Sequence, residues 1–111
     1  MSEHTGHRER MRQRFERDSG MDSFAPHEAL ELLLTYAIPR KDTNPIAHRL
    51  IERFGSLHAV LEAPVDELTA VPEIGTRAAQ LISMLLPLYR LYENDRLKQR
   101  VRLVNSRECG L

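Results

Sequence analysis

Apolar residues recur with helical periodicity from residue 7 to about residue 100, and no β-type alternation interrupts this pattern. Leu, Glu, Arg and Ala dominate the stretch, and these residue types favour helices. Prolines divide it into short segments, at Pro26, Pro39, Pro45, Pro64, Pro72 and Pro87. Proline suits the first turn of a helix but removes a hydrogen bond from its interior. The sequence therefore predicts an all-α fold, a compact bundle of about five to six short helices.

Prolines, glycines and capping residues predict the bounds of these helices. The expected segments are about His7 to Asp18, Pro26 to Tyr36, Thr43 or Asn44 to Phe54, Leu57 to Leu61, Pro64 to Leu68, and Thr76 to about Arg100. Pro87 is expected to kink or break the last helix. Gly55 suits a left-handed helix end, and Ser56 can cap the next helix. The arginines of the first helix are predicted to be solvated, and Tyr36, Tyr89 and Tyr92 to lie in the core or an interface.

Length and charge narrow the class of protein. The 111 residues correspond to about one domain. The 16 basic and 16 acidic residues give zero net charge, which argues against a strongly basic nucleic-acid binder but leaves room for a local basic face. The single cysteine, Cys109, cannot form an internal disulfide. Together with the lack of a signal region or of an apolar run near the ~20 residues of a membrane span, this predicts a cytoplasmic protein.

The end of the chain departs from the helical pattern. Val101 to Val104 alternates like a strand, and no other segment offers a partner strand. A single strand cannot satisfy its own hydrogen bonds. We therefore expect that the chain stops inside a longer protein or that the tail pairs between chains. The predicted division is an N-terminal helix and loop over 1–24, a helical domain over 25–98, and a linker or the start of a missing C-terminal domain over 99–111.

Two turns share one design. The first lies in Ile51 to Leu57 and the second in Leu68 to Thr76, and each joins two short helices through a glycine. Backbone N–H groups at such a turn, and at the helix that follows, can form an anion site that grips a phosphate. Such contacts position a nucleic-acid backbone without reading its sequence. The candidate DNA-binding residues are Gly55, Ser56, Arg53, Arg49, Gly75, Thr76, Arg77, Arg40 and Lys41.

The segment Leu50 to Ala63, followed by Val65 to Gly75, resembles a tandem helix-hairpin-helix domain of the kind found in UvrC and RuvA. His7 to Met11, His27 to Leu34 and the Arg40-Lys41 pair are similar to the N-terminal region of the RadC family, UPF0758. The resemblance implies an association with DNA repair. It also implies a downstream Jab/MPN-type domain with a zinc site that begins at an H-x-H motif.

That H-x-H motif is not found in the sequence, and the histidines are scattered over different elements. We therefore expect no metal, no cofactor and no catalytic site, and predict that this chain alone is not an enzyme. No nucleophile–base pair or glycine-rich nucleotide loop stands out either.

Glu73 departs from the helix-hairpin-helix pattern, which normally reads hydrophobic-Gly-hydrophobic-Gly. Glu73 occupies the place of the first glycine, and its negative charge has the wrong sign for a phosphate. It could point away or pair with Arg77, one turn on. The second turn is accordingly open to a purely structural interpretation, whereas the first keeps its form.

The predicted function is weak, non-sequence-specific binding to the DNA backbone, with branched or distorted DNA as a possible preference. Two alternatives stay open. One is a protein-interaction or homodimerisation module, which the zero net charge and Glu73 favour. The other is a regulatory module of a Jab/MPN-type metallohydrolase.

Overall fold

Six α-helices, and no strand, make up the part of the chain that the computed structural model describes, the backbone of residues 3–109 and the side chains of residues 6–100. Their bounds are α1 Glu3–Asp18, α2 Pro26–Leu34, α3 Thr43–Phe54, α4 Leu57–Glu62, α5 Val65–Thr69 and α6 Thr76–Cys109. The all-α prediction is confirmed. The expected bounds of α2 to α5 agree with these to within two residues.

The core lies between α2, α3, α4, α5 and the first turns of α6. Its buried side chains are those of Leu30, Leu34, Ile46, Ala47, Leu50, Val60, Ala63, Leu68, Val71, Ile74, Ala78, Ala79 and Ile82. The apolar face of α3 is buried as its spacing predicts, with Ile51 and Phe54 packed at the edge of this core. Full burial of one such leucine contributes about 1.5–3 kcal/mol. The core thus fixes both helical hairpins that α3 to α6 form.

Capping residues set the start of α3 and of α4. The Asp42 side chain accepts a hydrogen bond from the Asn44 amide at 3.1 Å, so the cap of α3 is Asp42 and not Thr43 or Asn44. Thr43 is buried instead, and its hydroxyl donates to the carbonyl of Glu31 at 3.0 Å. Ser56 caps α4, as expected, by accepting from the Ala59 amide at 3.1 Å.

Helix α6 corrects two expectations. It continues through Pro87 to Cys109, so a break at Pro87 is ruled out, and the alternative of a kink stays a prediction. The backbone of residues 101–109 is helical, so the predicted strand is wrong as well. A helix satisfies its backbone hydrogen bonds internally, whereas a lone strand leaves them open.

Helix α1 is held against α2 mainly by polar contacts. Met11 is its buried apolar residue, while Phe15 is exposed. Arg8 is buried, so the expectation of a solvated arginine face is wrong for this residue. Its guanidinium donates to the carbonyls of Ile38 at 2.7 Å and Pro39 at 2.8 Å, and also to that of Lys41. Arg8 therefore ties α1 to the loop that follows α2.

The buried carboxylate of Glu31 joins three helices. It accepts a hydrogen bond from the Asn44 side chain at 3.1 Å, and its Oε2 lies 2.8 Å from Nε2 of His7. Buried charge is tolerated when it is paired in this way. Glu31 thus holds α1 and α3 at fixed positions on α2.

The three tyrosines are on the surface. Tyr36, Tyr89 and Tyr92 are 66%, 56% and 56% exposed, so their assignment to the core is wrong, and the interface alternative stays a prediction. Arg12 lies over the ring of Tyr36, 4.6 Å from its centre.

Candidate nucleic-acid interface

The first hairpin, residues 54–57, connects α3 to α4. Gly55 ends α3 with a φ of 98°, and its amide donates to the carbonyl of Ile51 at 2.7 Å. This left-handed conformation is one that glycine adopts without strain. Ser56 follows as the cap of α4, and both residues are exposed. Gly55 and Ser56 therefore lie at the surface, where Ser56 already takes up the Ala59 amide, and the anion site at this turn stays a prediction.

The second hairpin, residues 70–75, connects α5 to α6. Val71 and Ile74 anchor it in the core, and the Ile74 amide donates to the carbonyl of Val71 at 3.1 Å. Glu73 has a φ of 73°, a left-handed conformation that side chains other than glycine rarely adopt. The strain explains why glycine is the usual residue at this position of the pattern.

Glu73 is paired with cations from two other elements. Its carboxylate lies 3.2 Å from the guanidinium of Arg49 on α3 and 3.5 Å from the ammonium of Lys41. Arg49 also donates to the carbonyl of Pro72 at 3.3 Å. Glu73 thus pairs with Arg49 and Lys41 and not with Arg77, which was one of the two expected arrangements. The second hairpin thus carries its own anion against two of the predicted phosphate-binding side chains.

An open groove of about 430 Å³ brings several predicted residues together. Its lining is Ala37, Ile38, Pro39, Arg40, Lys41, Glu73, Gly75, Thr76, Arg77 and Ala78. Five of the nine predicted residues are in this set. We call it the basic groove, because three of its side chains are cationic and one is acidic. Its floor is the start of α6, where the first amides of a helix have no carbonyl partner within the helix.

The Ala79 amide donates to the carbonyl of Gly75 at 3.0 Å, which makes Gly75 the residue before the first helical position. The amides of Thr76, Arg77 and Ala78 are consequently those that precede the hydrogen-bonded ladder of α6. The positive end of the α6 dipole lies at these same three amides. This part of the groove can accept an anion.

Of the remaining predicted residues, Arg49 and Arg53 lie on α3, while Gly55 and Ser56 form the turn that follows it. Arg49 and Arg53 are four residues apart and so share one face of the helix. Arg49 contacts the second hairpin, while Arg53 lies over the ring of Phe54, 5.9 Å from its centre, next to the first hairpin. All four of these residues are outside the lining of the basic groove: Arg49, Arg53, Gly55 and Ser56. Helix α3 therefore connects the two hairpins with a row of two arginines.

Sequence reasoning missed the residue that positions one wall of the groove. Arg8 holds the carbonyls of Ile38, Pro39 and Lys41, and so fixes the loop that carries Arg40 and Lys41. Burial, followed by repulsion from Arg12, lowers the pKa of the Arg8 guanidinium. These contacts join residues about 30 positions apart in the sequence, so no local sequence pattern predicts them.

Among the described residues, no three His, Cys, Asp or Glu side chains come close enough together to hold a metal ion. None of the helices described is both long and apolar enough to cross a membrane.

Comparisons with known proteins find a related family model and a related protein. Residues 44–87, which span both hairpins, match the family model of the helix-hairpin-helix motif. The chain is 44% identical over 95 residues to UPF0758 protein FN0909 of Fusobacterium nucleatum subsp. nucleatum. The aligned region covers 86% of this chain but 40% of that relative, so the chain spans less than half of its length. No solved structure matches. Residues 44–87 are therefore similar to a helix-hairpin-helix motif, within a chain that is similar over most of its length to a UPF0758 protein.

Proposed function

We propose that this chain is the N-terminal helical region of a RadC-like protein associated with DNA repair. In this proposal it binds the DNA backbone weakly and without sequence specificity. The match of residues 44–87 to the helix-hairpin-helix motif supports DNA as the ligand, and the similarity to a UPF0758 protein supports the family.

The basic groove is the observation that carries the proposal. Arg40, Lys41 and Arg77 line this groove together with Gly75, Thr76 and Ala78 at the start of α6. Backbone amides at a helix start and flexible cations are the groups that hold phosphates without reading bases. A nucleic-acid backbone therefore fits this groove better than a neutral ligand does.

Arg49, Arg53 and the first hairpin extend the surface to a second point of contact. Gly55 and Ser56 present exposed backbone beside Arg53. Two separate phosphate contacts would fix the direction of a strand on the protein. Because Glu73 already pairs with Arg49 and Lys41, those two cations are partly neutralised, which keeps the affinity low.

The test is a salt-titrated binding measurement with single-stranded, duplex and branched DNA. We expect dissociation constants in the micromolar range or weaker. Three to five phosphate contacts predict a slope of roughly −3 to −4.5 for log K against log salt with duplex DNA, and roughly −2 to −3.5 with single strands. Binding that resists salt, or that is absent at low ionic strength, contradicts the proposal.

A matched pair of charge reversals locates the surface. Arg77→Glu should weaken binding to all three DNA forms alike, because the contact is to phosphate. Arg100→Glu makes the same change of net charge about 35 Å farther along α6 and should have a much smaller effect. Equal losses in both variants would place the binding surface elsewhere.

A protein-interaction module, alone or as the regulatory part of a Jab/MPN-type metallohydrolase, is the second candidate. The exposed apolar side chains of α6 favour it, among them Met84, Leu88 and Leu91. An oligomer that forms without any DNA binding would support this alternative.

A further inference from the structure

Helix α6 carries an apolar stripe on a face that the core leaves uncovered. Met84, Leu88 and Leu91 are 56%, 59% and 66% exposed. The buried residues Ala78, Ala79 and Ile82 mark the side of α6 that faces the core. Isolated exposed leucines are normal, but an aligned row of them marks an interaction surface.

The stripe follows a heptad spacing. Leu81, Met84, Leu88 and Leu91 are separated by alternating steps of three and four residues, and the same steps continue to Arg77 on one side and Asp95 on the other. We call these six positions the seam. An apolar repeat of this kind is typical of a helix that packs lengthwise against another helix.

The seam is symmetric about residue 86. In an antiparallel pair of α6 helices, Met84 of one copy lies opposite Leu88 of the other, and Leu81 lies opposite Leu91. The same register puts Arg77 opposite Asp95 at both ends. A two-fold axis makes every contact between two different residues occur twice, so each favourable contact stabilises the pair at two places.

Charge selects the antiparallel pair over the parallel one. A parallel pair would put Arg77 against Arg77 and Asp95 against Asp95, and like charges in such positions repel. The antiparallel register turns both into ion pairs of opposite sign. We infer that a second copy of this chain docks along the seam, so that two α6 helices form an antiparallel two-helix interface centred on residue 86.

The shape of the molecule leaves room for this contact. The longest dimension is 63 Å, against 33 and 21 Å for the other two, because α6 extends beyond the core. The seam from Arg77 to Asp95 is about 27 Å long. The projecting half of α6 in one copy can therefore lie along the half that is packed on the core in the other. The inference does not depend on DNA binding; because Arg77 also lines the basic groove, the dimer is measured in the absence of DNA.

The test is the mass of the 111-residue chain in solution, measured by sedimentation or light scattering over a range of concentrations. We expect a concentration-dependent rise from 12.8 kDa to twice that mass. Leu88→Glu places two charges in the centre of the seam and should raise the dimer dissociation constant by at least about tenfold. Leu97→Glu is the matched control, because Leu97 is an exposed leucine of α6 off the seam, and it should leave the dimer intact.

A charge exchange tests the direction of the helices. Arg77→Glu and Asp95→Arg should each weaken the dimer, and the double variant should restore it. Circular dichroism of every variant checks that the helices are retained. A monomer at all concentrations, a dimer that Leu88→Glu leaves unchanged, or a double variant without recovery would overturn the inference.

Discussion

The carboxylate of Glu73 lies 3.2 Å from the guanidinium of Arg49. An acidic side chain of the second hairpin is therefore paired with an arginine that the proposed function assigns to a phosphate. Both side chains are about two-fifths exposed, and ion pairs at such positions contribute about 0–1 kcal/mol. The pair therefore contributes little to stability, and under the proposed function it lowers the positive charge that is available to a phosphate.

Replacement of Glu73 by glycine should strengthen DNA binding. The change releases Arg49 and Lys41, and it removes one negative charge from the basic groove. We expect a roughly three- to tenfold lower dissociation constant, measured by anisotropy at constant salt. Stability should change by less than about 1 kcal/mol, since the relief of the left-handed conformation offsets the lost ion pairs.

Glu73→Gln is the control for this effect, because it keeps a side chain at the same φ but removes the charge. It should strengthen binding in the same direction as glycine does. If both variants bind DNA as the parent does, the acidic side chain has no influence on the anion site.

Gly55→Ala should destabilise the fold through the backbone. An added Cβ at residue 55 has no atom within 4 Å, so the cost comes from the φ of 98° alone. We expect a loss of about 1 kcal/mol in urea-induced unfolding.

Gly75→Ala is the matched control for Gly55. Its added Cβ also has open space, and Gly75 is not among the glycines with positive φ. The stability should stay within about 0.5 kcal/mol of the parent. Equal losses at both glycines would show that backbone strain is not the cause.

Arg8→Ala should destabilise α1 and the loop after α2 together. The substitution leaves three carbonyls without their donor, which costs about 2–3 kcal/mol. Arg8→Lys should recover little, because an ammonium cannot reproduce the planar fork of a guanidinium. The exposed Arg10 on the same helix provides the control, and Arg10→Ala should change the unfolding free energy by less than about 0.5 kcal/mol.

Glu28 should contribute to stability in a pH-dependent way. Hydrogen bonds from Arg14, and then from the Ala25 amide, hold the pKa of its carboxyl below the ordinary value of 4.5. A carboxyl with a lowered pKa stabilises the folded state above its unfolded pKa and loses that contribution as the pH falls through the folded value. The melting temperature should therefore fall on acidification below about 4.5, and less so in Glu28→Gln.

Arg14→Gln tests the cause of that dependence. Arg14 donates two hydrogen bonds of 3.3 Å to the Glu28 carboxylate, one from each terminal nitrogen. Their removal should flatten the acid side of the stability profile much as Glu28→Gln does. An unchanged profile would assign the pH dependence to other carboxyls.

The sequence predicted the hairpins well because their signals are local. A glycine that ends α3, a serine that caps α4 and a proline at the start of α2 each act within one turn of helix. Periodic spacing was enough to assign the core of α3, since burial there follows directly from the 3.6-residue repeat. Those features need no knowledge of distant residues.

The errors arose where contacts between distant residues, or opposing local preferences, decide the structure. Arg8 is expected to be solvated, but it is buried and donates to carbonyls about 30 residues away. The local cost of Pro87 suggested a break, yet the rest of α6 continues on both sides of it. The partners of Glu73 come from α3 and from the loop after α2, and neither could be inferred from the hairpin alone.

The continuity of α6 across Pro87 has a mechanical consequence. The helix begins at the second hairpin with Thr76 and is about 50 Å long. A rotation imposed near Arg100 would therefore reach the second hairpin through one continuous helix. Whatever holds the far end of α6 thereby also sets the direction in which the first amides of α6 point.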